Sequence, residues 1–126
     1  MWLLEKYIAT VSGIPSDEHG IIDAPIAREE EGNIKRVVRE DGKNAVTEYR
    51  IIEKTEDGNA ICEVTLHTGR THQIRVHFAY IGHPLVGDFL YGTENDEGYS
   101  LICSEISLPH PITNEIITIK NQRMNK

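Results

Sequence analysis

The residues best suited to chemistry lie between positions 66 and 92, in the run LHTGRTHQIRVHFAYIGHPLVGDFLYG. The pattern predicts a helix from about Thr71 to Ile81, ended by a glycine and a proline. Arg70 lies at the start of this helix and Arg75 in its middle. A cationic side chain beside the free backbone N–H groups of a helix N-terminus is suited to a phosphate or a carboxylate. The run therefore predicts an anion-binding site.

The predicted helix has one apolar face, formed by Ile74, Phe78 and Ile81. Arg75 lies beside this face, so we expect its side chain to be half buried. A half-buried arginine needs a carboxylate or a phosphate partner, and a glutamate on a neighbouring sheet is the simplest structural interpretation. Arg70 is nearer to solvent, where a phosphate contact and a plain surface role both remain open.

Other chemistries fit the sequence poorly. His67, His72 and His77 recur at intervals of five residues, whereas histidine pairs that bind zinc on a helix are spaced i, i+4. Five residues advance a helix by about 500°, so the side chains of His72 and His77 point ~140° apart. No Gly-x-Ser-x-Gly, P-loop or dinucleotide motif occurs in the sequence. We therefore expect neither a metal nor a cofactor.

Length and composition indicate one ordinary globular domain. The chain has 126 residues, of which 39% are hydrophobic, and no apolar run approaches the ~20 residues of a membrane span. No signal peptide is evident, which predicts a cytoplasmic protein without a membrane partner. The net charge of −7 argues against a general nucleic-acid coat and is compatible with a local basic groove. Cys62 and Cys103 are expected to be buried free thiols.

Short strands separated by turns would position the residues of the site. Strands are predicted at 3–11, 34–40, 45–54, 60–67, 99–108 and 115–120, with an edge or irregular segment at 18–27. The segments 45–54 and 60–67 should form a hairpin, with Cys62, Val64 and Leu66 on its buried face. The predicted fold is α+β, a mixed, mainly antiparallel sheet with one main helix packed on it.

The run from Leu66 to Gly92 resembles the carboxy-terminal signature of the RluA-type RNA pseudouridine synthases, in particular the ribosomal large-subunit enzymes. The segments at 5–13, 46–49 and 101–111 resemble further parts of the same catalytic domain. The resemblance covers nearly the whole chain. It implies that residues 1–126 form a single domain, the C-terminal portion of that catalytic domain.

The resemblance also implies an activity. Such enzymes convert uridine in structured RNA to pseudouridine without a cofactor, after the target nucleotide has been flipped out of its stack. Tyr7 would stack on the flipped base and assist proton loss at C5. Arg75 would pair with the essential aspartate of a His-Arg-Leu-Asp motif, and Arg70, Thr71 and His72 would contact the RNA, expected to be ribosomal.

The sequence departs from the family pattern in two respects. No His-Arg-Leu-Asp motif occurs in the 126 residues, and Asp88 matches a structural Gly-Asp that we expect to brace a loop. Cys103 and Ser104 replace a histidine and an alanine of the family. We therefore expect a catalytic-domain fragment that is inactive alone and forms a homodimer through an exposed sheet edge. The alternative is a non-catalytic module that binds RNA or protein and keeps the fold.

Overall fold

A computed structural model describes residues 4–32, 34–92 and 98–120. The elements in chain order are β1 (Leu4–Val11), β2 (His19–Asp23), β3 (Ile26–Arg28), β4 (Arg36–Val38), β5 (Val46–Lys54), β6 (Ala60–Leu66), α1 (Gln73–Tyr80), β7 (Leu101–Pro109) and β8 (Ile116–Lys120). Every strand predicted from the sequence is present, with ends that differ by up to two residues. The acidic segment 94–97, which the sequence alone predicts to be an exposed loop, lies outside the described residues.

The strands form two antiparallel sheets. Six of them make one sheet in the order β2-β5-β6-β1-β7-β8, and β3 pairs with β4 in a small second sheet. The predicted irregular segment at 18–27 is two strands in different sheets, because Pro25 lies between β2 and β3 and cannot donate to a ladder. The α+β prediction is confirmed, and all pairings between the described strands are antiparallel.

The central position of β1 determines where Tyr7 lies. This strand pairs with β6 on one side and β7 on the other, so that Tyr7 is opposite Val64 and Cys103. Side chains alternate along a strand, and Tyr7 therefore shares a face with the buried Ala9 and Val11. This face packs against α1, which brings the tyrosine to the same side of the sheet as the helix.

The apolar face of α1 is confirmed. Ile74 and Phe78 are buried, Ile81 packs partly against the same core, and the Phe78 ring lies edge-on to Tyr49 with centroids 5.5 Å apart. The helix begins two residues later than predicted. His72 precedes it with a φ of 56°, a left-handed conformation that cannot continue a right-handed helix.

A second, smaller core attaches the β3–β4 hairpin to the helix. It contains Ile26, Ala45 and Val76, with Val38 and Tyr91 packed against them. An isolated bridge between Ile26 and Lys43 joins this hairpin to the turn before β5. The hairpin is therefore fixed against the body of the molecule.

Neither Cys62 nor Cys103 is in a disulfide, as predicted. Cys62 is fully buried, and burial raises the pKa of its thiol to about 11, whereas Cys103 is only partly buried. In the part of the chain that the structure describes, no helix has the length and apolar character needed to cross a membrane.

Candidate functional site

A pocket of about 220 Å³ opens beside Tyr7, between β1, β6, the start of α1 and the start of β7. Its lining residues are Tyr7, Leu66, Arg70, His72, Gln73, Ile74, Arg75, Tyr99 and Leu101. Four of the residues singled out in the sequence, Tyr7, Arg70, His72 and Arg75, are thus brought together. The fifth, Thr71, is exposed and lines a different groove.

Arg75 is held by a carboxylate of its own chain. Its Nε donates to Oδ2 of Asp88 and its Nη2 donates to Oδ1, both over 2.8 Å. Arg75 is 8% exposed and Asp88 is fully buried. The sequence correctly predicted a carboxylate partner, but neither a glutamate on the sheet nor an aspartate from another segment occupies this position. Asp88 does so because the loop after α1 folds back over the helix.

Asp88 also braces that loop, as expected. Its Oδ1 accepts hydrogen bonds from the backbone N–H groups of Leu90 and Tyr91, at 3.1 and 3.2 Å. Burial alone would raise the pKa of Asp88, but the bonds from Arg75 and from these N–H groups hold it below its ordinary value. A fully buried carboxylate with all these partners cannot attack a sugar or abstract a proton from a substrate.

The Arg75 guanidinium also lies against two aromatic rings. Its Cζ is 5.0 Å from the Tyr91 ring centroid and 4.4 Å from that of Tyr99. Its hydrogen bonds to the Asp88 carboxylate raise the pKa of Arg75, so the side chain stays charged. An arginine carries five N–H donors and Asp88 uses two of them, which leaves the group able to orient a further anion.

Tyr91 connects this arginine to His72. The Tyr91 hydroxyl accepts from the backbone N–H of Arg36 at 2.9 Å and lies 2.7 Å from Nδ1 of His72. The hydrogen bond between this hydroxyl and Nδ1 orients the imidazole, and the tautomer of His72 decides which of the two atoms donates. Burial, together with the nearby charges of Arg75 and Arg36, lowers the pKa of His72. His72 is therefore a neutral side chain whose imidazole is held at the pocket by Tyr91.

Gln73 positions the turn before the helix. Its Oε1 accepts from Thr68 Oγ1 at 2.7 Å and from the Arg70 backbone N–H at 3.0 Å. Its Nε2 donates to Val46 O and to Thr47 Oγ1 on β5. Gln73 was not selected from the sequence. Its position on the predicted helix, beside the apolar Ile74, was the sequence feature that could have indicated a buried glutamine.

His77 has a structural role. It is fully buried, with Nδ1 2.7 Å from Thr47 Oγ1 and Nε2 2.8 Å from Ala24 O, and burial lowers its pKa. His67 instead bonds to Glu48 on the exposed side of β5. Within residues 4–32, 34–92 and 98–120, no group of three or more His, Cys, Asp or Glu side chains is arranged to hold a metal ion.

Tyr7 presents its ring to the pocket and keeps its proton. Its hydroxyl donates to Glu5 Oε1 at 2.9 Å, and burial followed by this bond raises the pKa of the phenol well above its ordinary value. A phenolate is thus disfavoured, and Glu5 is the hydrogen-bonded proton acceptor. The partly buried ring between β6 and β7 is suited to stacking against a planar base.

The fold is similar to that of solved proteins with an RNA pseudouridylate synthase domain. The structure matches human RNA pseudouridylate synthase domain containing 1 with a TM-score of 0.76 and 26% identity, over 94% of this chain and 54% of that chain. A second human structure, RNA pseudouridylate synthase domain containing 4, matches with a TM-score of 0.74; at 22% identity it supports the fold alone.

The sequence comparisons give the family. A family model described as RNA pseudouridylate synthase matches residues 3–80. The RNA pseudouridine synthase YlyB of Bacillus subtilis is 44% identical over 115 residues, which are 89% of this chain and 38% of that protein. Ribosomal large subunit pseudouridine synthase D of Xanthomonas campestris is 48% identical over 87 residues, 69% of this chain and 26% of that protein. The chain belongs to the RNA pseudouridylate synthase family, as the sequence motifs indicated, and spans well under half the length of these relatives.

Proposed function

We propose that this chain provides the uridine-binding part of an RNA pseudouridine synthase site and does not catalyse the reaction by itself. The proposal is carried by one observation: Tyr7, His72 and Arg75 converge on a single pocket in a chain of this family. No carboxylate is among the described residues that line the pocket. The catalytic aspartate would be supplied from outside these 126 residues.

The reaction assigns a task to each side chain of the pocket. The C1′–N1 bond of uridine breaks, a C1′–C5 bond forms, C5 loses its proton and N1 gains one. The Tyr7 ring would stack on the uracil while it turns, and the Tyr7–Glu5 pair would accept the C5 proton. Arg75, already charged and fixed by Asp88, would orient the incoming aspartate with its remaining N–H donors.

The proposed substrate is ribosomal RNA, and the proposed compartment is the cytoplasm. Support comes from the relatives called ribosomal large subunit pseudouridine synthase D in Xanthomonas campestris and Zymomonas mobilis. Arg70 and His72 would contact the RNA at the pocket, and Thr71 would do so beside it.

A second candidate function is an RNA-binding or protein-interaction module without chemistry. It is favoured by the same absence of a carboxylate from the described lining of the pocket. The two proposals differ in one outcome: adding an aspartate-bearing segment should give a catalytically active protein under the first proposal and an inactive one under the second.

We further propose that the isolated chain forms a homodimer through a sheet edge. Among the described strands, β8 is an edge strand and exposes Ile116 and Ile119, each 60% accessible. An unpaired apolar edge favours pairing with another strand. Sedimentation velocity should show a concentration-dependent dimer, and a monomer at all concentrations would contradict this.

Tritium release from RNA labelled at C5 of uridine tests the proposed function. The isolated chain should release none. A fusion that places ahead of this chain the segment preceding the matched region in YlyB should release tritium. Turnover by the chain alone would refute its dependence on an external aspartate. RNA binding by a fusion that never turns over would favour the non-catalytic module.

A further inference from the structure

A second concave surface, larger than the pocket, lies beside it. This groove has a volume of about 440 Å³ and runs between the β3–β4 hairpin, the turn before β5 and the turn before α1. Its lining residues are Ile26, Ala27, Arg28, Arg36, Asp41, Gly42, Lys43, Gly69, Arg70 and Thr71. Four of these ten carry a positive charge and one carries a negative charge.

The negative charge in the groove is already engaged. Asp41 Oδ1 lies 2.5 Å from Arg39 Nε, and this hydrogen bond lowers the pKa of Asp41. Among the described residues, no carboxylate is within ion-pairing distance of Arg28, Lys43 or Arg70. The whole chain carries a net charge of −7. The groove is therefore a local concentration of positive charge on an acidic molecule, which attracts polyanions.

Hydrogen bonds and close packing fix both walls of the groove. Ile26 and Lys43 exchange two backbone hydrogen bonds of 2.9 and 2.8 Å, which fix one wall. Gly42 lies so close to this wall that an added Cβ would fall 2.5 Å from the Ile26 carbonyl carbon. Arg70 Nε donates to Asn44 O at 2.8 Å, and this bond holds the other wall. The Arg70 side chain is thus preorganised, and a preorganised group loses little entropy on binding a ligand.

The lining indicates what the groove would bind. It contains no aromatic side chain among the described residues, so it offers no surface for stacking a base. Arginine, lysine and exposed backbone are the groups that contact phosphates without reading sequence. Arg70 lines both the groove and the pocket, which makes the two surfaces continuous.

We propose that this groove binds the sugar–phosphate backbone of the RNA strand whose target nucleotide enters the pocket. The inference rests on the proposed function for the identity of the polyanion. The pocket takes the base and the groove takes the flanking phosphates. Binding in the groove is therefore independent of sequence and sensitive to salt.

Two double variants with matched charge test the proposal. R28E/K43E reverses two cations of the groove, and R50E/K54E reverses one arginine and one lysine of β5 that pair with Glu63 and Glu18. Both change the net charge equally. Fluorescence anisotropy with a labelled single-stranded RNA, from 50 to 200 mM salt, measures affinity and salt dependence. Circular dichroism and thermal unfolding confirm that each variant is folded.

R28E/K43E should weaken binding at least tenfold at low salt, and the slope of log K against log salt should become shallower by about 1.4, at ~0.7 per lost phosphate contact. R50E/K54E should stay within about threefold of the unmodified chain. Equal losses in both variants would show that only net charge matters, and unchanged binding in R28E/K43E would place the RNA elsewhere. Either result would refute RNA binding in the groove without contradicting the proposed function. Absence of RNA binding by the unmodified chain would also refute RNA binding in the groove. Tritium release by the fusion tests the proposed function independently.

Discussion

The ion pair between Arg75 and Asp88 fixes the arginine of the pocket from within the chain. Its two hydrogen bonds are short, and Asp88 has no exposure to solvent. Separating the partners of a buried pair typically costs about 3–5 kcal/mol, because the remaining charge stays desolvated. The pocket therefore contains a guanidinium whose position depends on no other molecule.

Asp88→Asn tests this pair. The amide cannot neutralise Arg75, so urea unfolding should show a loss of stability of about 3 kcal/mol. Asp41→Asn is the control, since it breaks the exposed pair with Arg39 and should leave the urea midpoint unchanged. Equal midpoints for the two variants would mean that the buried pair contributes nothing to stability.

Tyr91→Phe separates the roles of a ring and a hydroxyl. The ring would still cover Arg75, but His72 would lose the hydrogen-bond partner of its Nδ1. Nitrogen-15 NMR of the histidine side chains should show His72 as one predominant tautomer in the unmodified chain and as a tautomer mixture in the variant. His67, which contacts Glu48 instead, is an internal control. An unchanged His72 spectrum would show that the hydrogen bond to Tyr91 does not select the tautomer.

At the scale of elements, alternation and turn residues were sufficient to predict the strands. The β5–β6 hairpin follows from Cys62 and Val64 alternating with polar residues, because such a pattern fits only a half-buried strand. The start of α1 was misplaced, since no local pattern announces the left-handed conformation of His72. Asp88 was identified as a brace but not as the partner of Arg75, because that contact depends on how the loop folds over the helix.

His77 hydrogen-bonds to β5 and to the β2–β3 connection, and this should make the stability of the fold depend on pH. His77 links these elements as a neutral side chain, with a pKa lowered by burial. Below an unfolded-state pKa of about 6.5 the unfolded chain binds a proton that the folded chain excludes, so stability falls as pH falls. Urea unfolding should show a loss of about 1 kcal/mol between pH 7 and pH 5.5.

His77→Gln is the matched variant for this effect. It removes the titrating group from the link and should flatten the change in stability between the two pH values, although the variant is less stable at both. A pH dependence as steep as that of the unmodified chain would assign the effect to other groups, of which His72 also has a lowered pKa.

At the scale of the whole molecule, charge is unevenly distributed: the chain is acidic, whereas arginines line the pocket and the groove. The pocket and the groove share Arg70, so a strand of RNA could pass from one to the other. The chain spans 38% of the length of its B. subtilis relative, and its pocket has no lining carboxylate among the described residues. Both observations fit a catalytic centre that is completed by another segment.

The most direct test of this account is tritium release by the fusion with the segment that precedes the matched region in YlyB. The fusion should turn over uridine in ribosomal RNA, whereas the isolated chain should not. Arg75→Leu or Tyr7→Leu within the fusion should lower turnover at least 100-fold, and Arg50→Leu, outside the pocket, should leave it within twofold. A fusion that keeps full turnover with Arg75→Leu, or an isolated chain that releases tritium, would contradict the central claim.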